Sequence, residues 1–329
     1  MTPIRGFLRW LLYLASATIV AFATVAVINA PSRLVNNTPP VTLDGDPDLW
    51  LAQREAAVNA RTPIIPGTEK RIRWINRVSR DRTGYAIVYL HGFSASRREI
   101  APVPEQIAIQ LGANLFETRL AGHGLRNAPL SGVTAEDWLA DAAEALAIGN
   151  AIGQSIVVVA TSTGATLALA MAGHKEMQNV STIVMISPNF AARDSNSEFL
   201  TWPGGPMTAR LVIGTTRCWV PLNDAQAQFW STCYPIAAAV EMMRLVKYTR
   251  SLLPMSLDVD LLTLFSFDDT VVSPQATVAG LAKISSRRNE QVEVLHSTDP
   301  DHHVLLGDIL SPETTAEYVA AIVAFVTAN

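Results

Sequence analysis

The stretch VVVATSTGATLALA, residues 157–170, decides how this chain is read. Consecutive β-branched residues lead into a knot of small and hydroxylated ones, which opens at once into an alanine-rich helical pattern. Ser162 stands at the hinge, with Ala160 two positions before it and Gly164 two after. A strand that turns so tightly into a helix tolerates only small side chains on either side of the hinge, because the two backbones nearly touch there. The turn is either a quiet connection or an elbow that lifts a nucleophilic hydroxyl above a sheet. The rest of the chain has to choose.

Around this stretch the sequence alternates. Strand-like runs are RIRWINRV (71–78), AIVYLHG (86–92), NLFETRL (114–120), SIVVVAT (155–161), TIVMIS (182–187), LLTLFSF (261–267) and QVEVLH (291–296). Helical patterns lie between most of them. One starts at Thr134, which can cap while Asp137 returns the hydrogen bond, and it places Trp138, Ala142 and Leu146 on one face. The last starts at SPETT, with Ser311 as N-cap, Pro312 at the first helical position, and Tyr318, Ile322 and Phe325 turned inward. Near-continuously apolar strands alternating with helices predict an α/β fold, a mostly parallel sheet with helices on both faces. In such a sheet a site forms at the carboxyl ends of the strands.

Those ends carry chemistry. YLHGFSAS offers a loop, shaped by His91 and Gly92, in which the Phe93 backbone N–H can pair with that of Thr163 to bind a developing oxyanion. SFDDTVVSP offers an acid, Asp268 or Asp269, and DPDHHVLLGD a base, His302 or His303. The competing reading of the last loop is a metal site from Asp299, Asp301, His302 and His303. Crowding along one loop makes poor coordination geometry, so no metal is expected.

With these residues in view the chain resembles an α/β-hydrolase, most of all the carboxylesterase and monoacylglycerol-lipase-like branch. The resemblance covers roughly residues 70–329. Beyond the serine, acid and histidine in that chain order, it rests on RLAGHG (119–124), similar to the family's R-x-x-GHG loop, and on TAEDW with Asp141 in the helix that follows. The family's D-x-x-V pattern implies Asp269 as the acid, and HVLLGD implies His303 as the base with His302 in reserve. His123 reads as a residue that structures its loop. The departure is Ala160, where the family has glycine. The resemblance implies a serine hydrolase cleaving carboxylic esters, without cofactor, through an acyl-enzyme on Ser162. The same triad would serve an acyltransferase or thioesterase. A non-catalytic, membrane-tethered binding protein of this fold is the third reading.

Composition sets outer limits. With 329 residues, 49% apolar, 16% charged and a net charge of -4, the chain is neither disordered nor a nucleic-acid binder by electrostatics. Residues 10–28, WLLYLASATIVAFATVAVI, form an uncharged run of about 28 Å if helical, close to a bilayer's hydrocarbon thickness. A cleaved signal peptide has a shorter apolar core and a small-x-small end, which INA does not supply, so an N-terminal transmembrane anchor is expected. Arg5 and Arg9 then stay in the cytoplasm and the bulk of the chain lies on the non-cytoplasmic side, periplasmic or extracellular.

The expected divisions are a transmembrane anchor or signal segment (1–30), a tether and leading helix (31–69), a hydrolase core in two parts (70–190 and 257–329), and a helical cap or lid inserted between them (191–256). In the tether, DGDPD matches EF-hand ligand spacing but has Leu49 where that loop needs glycine, so it reads as a helix start with acids at its positive end. In the cap, Trp202, Trp219, Phe229, Trp230, Met242 and Met243 are expected to line an acyl pocket over a small-molecule or lipid ester. If the cap lies in an oxidising compartment, Cys218 and Cys233 pair as a disulfide; otherwise they are two buried thiols. The natural ester and the oligomeric state are not legible.

Overall fold

Each central strand sends alternate side chains to opposite faces, and both faces are apolar. Val88, Val158 and Ile183 point into one buried cluster, and Ile87, Val157 and Val184 into another. A sheet patterned in this way must be covered twice, and it is. The computed structural model describes residues 10, 13–16, 18, 20, 24, 25, 27 and 30–328.

In chain order its main elements are α1 (Pro47–Arg61), β1 (Arg71–Arg73), β2 (Thr83–Leu90), α2 (Val103–Leu111), β3 (Asn114–Glu117), α3 (Ala135–Ile152), β4 (Gly153–Thr161), α4 (Thr163–Ala170) and β5 (Val180–Ile186). There follow α5 (Gly205–Val212), β6 (Thr216–Cys218), α6 (Asp224–Phe229), β7 (Cys233–Pro235), α7 (Ile236–Ser251), β8 (Met255–Ser256), β9 (Asp260–Phe265), α8 (Pro274–Leu281), β10 (Ile284–Ser285), β11 (Arg288–Glu293) and α9 (Pro312–Thr327). The main sheet runs β1-β3-β2-β4-β5-β9-β11. Its pairs are parallel except β1 with β3. One face packs on α3 and α4 through residues such as Trp138, Leu139, Ala165 and Leu169. The other packs on α2 and α9 through Ile107, Tyr318, Ile322 and Phe325.

All seven expected strands are in this sheet, with shifted ends. The first stops at Arg73, where the chain turns away and Ile75 N–H is taken by the Asn114 side chain at 3.0 Å. The last begins at Arg288 and ends at Glu293, because its partner β9 ends opposite at Phe265. The capping box at Thr134 and Asp137 forms as expected. Ser311 occupies the N-cap of α9 but does not cap it. Its hydroxyl donates instead to Val304 O, so it braces the loop before the helix.

The leading segment is no loose tether. Leu34 is buried in the core, Asn36 donates to Ala170 O, and Ser32 O accepts from the Arg244 guanidinium on α7. Asp46 caps α1 by accepting from Asp48 and Leu49 N–H, the helix start expected for DGDPD. Lys70 sits between Asp141 and Glu144, and this buried cluster fixes the entry to the sheet. Between β5 and β9 the chain builds α5–α7 and a two-stranded hairpin, β6 with β7, whose Cys218 and Cys233 face each other and are bridged. Trp230 and Met243 are buried there, whereas Trp202 stands 53% exposed. Among the described residues, no helix is long and apolar enough to cross a membrane. Much of the expected anchor, residues 10–28, lies outside the described residues.

Candidate active site

The hinge at Ser162 is strained. Its φ of 53° and ψ of −115° lie outside the regions open to a residue with a side chain, a conformation held only when the surroundings over-determine it. Ser162 N–H donates to Ile186 O on β5 at 2.8 Å, and its carbonyl accepts from Asn189, Ala165 and Thr166. The demand for small residues is real, but the close approach at Gly164 is to the neighbouring strand. A Cβ at Gly164 would stand 2.1 Å from Leu90 O and 2.9 Å from His91 O. Ala160 is fully buried and pairs with Leu90 across β2, so its methyl is accommodated.

Of the two candidate acids, Asp268 is exposed and Asp269 is buried. Asp269 Oδ1 accepts from the N–H groups of Val271 and Val272, both at 2.8 Å, which aims Oδ2 at His303 Nδ1, also 2.8 Å away. This network assigns the Nδ1 proton to the Asp269 bond. Nε2 of His303 has no partner among the described residues. His302, by contrast, has its Nδ1 buried without a partner. The loop is shaped by Asp299, whose Oδ2 accepts from His303 and Val304 N–H, so that acid serves the backbone. Ser187, next to the residue that holds Ser162 N–H, donates its hydroxyl to His303 O at 2.7 Å. Burial works against a charged His303, but the charge and hydrogen bond of Asp269, with Glu99 and Asp299 behind, outweigh it. The imidazole is raised from 6.5 to about 9.

The loop after β2 is held from both ends. Gly92 N–H donates to Glu99 Oε2 at 2.8 Å, and Ser94 N–H donates to His123 Nε2 at 3.1 Å. Between them the Phe93 N–H has no partner among the described residues. Thr163 N–H, at the first position of α4, is one of the donors a helix start leaves unpaired. His91 donates from Nδ1 to Gly92 O and accepts from Leu120 N–H at Nε2. Burial, with the neighbouring His123, pushes His91 well below its usual value; burial takes His123 to about 4. Both rings are therefore neutral struts, and His123 has the loop-structuring place expected for it. Phe93 packs edge-on against Tyr234 at 4.9 Å, and Ser231 N–H donates to Ser94 O at 2.6 Å, so the segment between β5 and β9 rests on this loop.

Sequence reasoning did not single out Glu99 or the loop-shaping role of Asp299. An acid inside the otherwise loop-like SASRREI had no pattern to mark it.

The match to the alpha/beta hydrolase family model spans residues 87–325. No curated protein matches the sequence. Solved structures that the fold resembles include a metagenome-derived lipolytic enzyme, with TM-score 0.65 and 19% identity over 80% of this chain and 98% of that one. The monoacylglycerol lipase of Paleococcus ferrophilus has TM-score 0.57 and 11% identity over 78% and 97%. A soluble variant of the monoglyceride lipase of Saccharomyces cerevisiae, solved with a substrate analogue, has TM-score 0.56 and 12% identity over 79% and 91%. At such identities the likeness speaks for the fold, and the family match over most of the sheet domain speaks for descent: the chain belongs to the alpha/beta hydrolase family.

Proposed function

We propose that the chain is a serine hydrolase that cleaves carboxylic esters, a carboxylesterase or lipase acting on acylglycerol-like substrates. The observation that carries this reading is the Asp269–His303 hydrogen bond, which leaves Nε2 without a partner among the described residues, in a chain that also holds Ser162 on a strained elbow with its hydroxyl likewise unpartnered there. Ser162 is the nucleophile. His303 takes its proton as Oγ attacks the ester carbonyl and later delivers it to the leaving alcohol. Asp269 holds the tautomer and stabilises the imidazolium. The unpaired N–H groups of Phe93 and Thr163 bind the oxyanion, where preorganised donors act on charge that develops only in the transition state. Water then attacks the acyl-enzyme, activated by His303, and releases the acid.

Residues 191–256 act as the cap over this centre, a placement supported by the contacts of Ser231 and Tyr234 with the oxyanion loop. Residues 10–28 anchor the chain in a membrane and place the catalytic domain on the non-cytoplasmic side. The described residues of that stretch are helical. Thr18 and Thr24 donate their hydroxyls to the carbonyls of Leu14 and Val20, both at 2.8 Å, which satisfies them inside the helix as hydrocarbon requires. The Cys218–Cys233 bridge supports an oxidising compartment.

The test is a panel of nitrophenyl, glycerol and thio-esters, run with and without an alcohol acceptor. Oxygen esters cleaved to free acid, with water preferred over the acceptor, support the reading. Products carried to the acceptor, or cleavage confined to thio-esters, would move the assignment to transfer or thioesterase chemistry.

A further inference from the structure

Behind the oxyanion loop lies a carboxyl that the mechanism above leaves unused. Glu99 is only 3% exposed. Its Oε2 accepts from Gly92 N–H at 2.8 Å and from the Tyr89 hydroxyl at 2.9 Å. Its Oε1 has no hydrogen-bond partner among the described residues. That oxygen lies on the serine's side of the loop. A Cβ built at Gly92 would stand 2.6 Å from Glu99 Oε1 and 3.2 Å from Ser162 Cβ. Carboxyl, loop backbone and nucleophile thus meet at one point, and only a glycine leaves room for the meeting.

The turn that carries Glu99 is also clamped from the histidine side. A Cβ at Gly307, four residues after His303, would lie 2.7 Å from Ile100 Cα and 3.1 Å from Glu99 O. Asp308 N–H donates to Ala101 O at 2.8 Å. Glu99 is therefore wedged between the two loops that bear the oxyanion donor and the base. The charged and titratable groups that face His303 are Asp269, Glu99 and Asp299, while Glu99 is faced by Tyr89 and His303. Burial holds the Glu99 carboxyl above the usual carboxylate range, opposed in part by the Gly92 N–H, the Tyr89 hydroxyl and the charge of His303.

We propose that Glu99 is a positioning residue of this site: its Oε2 holds the Gly92 N–H and so fixes the turn into Phe93, whose own N–H is the oxyanion donor, and its charge stabilises the imidazolium of His303. Two acids then act on one base from different sides. Asp269 orients the ring from Nδ1, and Glu99 acts without a hydrogen bond to it. The proposal rests on the assignment of Ser162 and His303 given above.

The test follows the pH dependence of labelling by a fluorophosphonate, and of nitrophenyl ester kcat/KM, in the wild type and in Glu99→Gln. The amide keeps the shape and one acceptor but not the charge. The limb governed by His303 should move to lower pH by about one unit, the shift expected on losing a nearby opposite charge. Glu99→Ala should in addition lower kcat with little change in KM, because a misaligned oxyanion donor is felt mainly in the transition state. An unmoved limb in a folded Gln variant overturns the proposal. Should that variant not fold, Tyr89→Phe removes only the hydroxyl that favours the charged form of Glu99. It should move the limb in the same direction by less, and an unmoved limb there overturns the proposal equally. A wild type that never labels refutes the serine assignment itself, which keeps the two failures distinct.

Discussion

At the scale of single residues, the site rests on a few positions whose neighbours leave no choice. Ser162→Ala should reduce ester hydrolysis on the order of 10⁴-fold while the melting temperature barely moves, since the hydroxyl has no hydrogen-bond partner among the described residues. Activity within tenfold of wild type would refute the elbow. Gly164→Ala should fail to fold or lose much of its stability, because the added methyl meets the Leu90 carbonyl at 2.1 Å; a thermal melt decides. With His303 raised to about 9, the base is mostly protonated at neutral pH, so kcat/KM should climb from pH 7 to about 9. Stability runs the other way. A raised folded-state value favours the folded form fully below 6.5, and that contribution fades as pH rises through about 9. The hinge at Ser162 was legible because a strand that turns so tightly into a helix demands small neighbours in fixed places. The choice between Asp268 and Asp269, or His302 and His303, was not legible from spacing. It depends on which side of a turn is buried, and only the resemblance pointed to the member of each pair that the fold joins by a hydrogen bond.

Elements explain how those residues are held. The strands were legible since each is apolar on both faces, but their ends depend on partners: β11 stops where β9 stops, and β1 where Asn114 captures the next N–H. Ser311 looked like a helix cap and instead braces the histidine loop: its hydroxyl donates to Val304 O, and its oxygen accepts from Asp299 N–H rather than from the helix. The loop after β2 depends on His91 and His123 remaining neutral. Their depressed values contribute stability above about 6.5 that is lost as pH falls, through about 4 for His123. Thermal melts should therefore show a decline between pH 6.5 and 4, and a flat profile there would contradict the neutral-strut account. The β6–β7 hairpin is closed by the Cys218–Cys233 bridge across 15 residues, worth about 3 kcal/mol in unfolded-chain entropy. Reduction should alter activity or substrate range before the sheet domain unfolds, as followed by ester turnover alongside circular dichroism. Simultaneous loss of both would show that the cap and core are one cooperative unit.

The molecule as a whole combines an alpha/beta-hydrolase sheet domain, a segment between β5 and β9 that rests on the loop after β2, and an apolar amino terminus. The leading segment docks through Leu34, Asn36 and Arg244, so the catalytic domain should stay close to whatever the amino terminus is fixed in. Expressed with residues 1–30, the protein should sediment with membranes and resist salt extraction; without them it should be released in active form. Recovery of the full chain in the supernatant would refute the anchor and leave the catalytic reading untouched. Whether Ser162 is a nucleophile can be tested covalently. The intact protein is treated with a fluorophosphonate, digested, and mapped by mass spectrometry. One adduct per chain on Ser162, abolished in both the Ser162→Ala and His303→Ala variants, is the expected result. No adduct, or an adduct on another serine that persists in those variants, would contradict it.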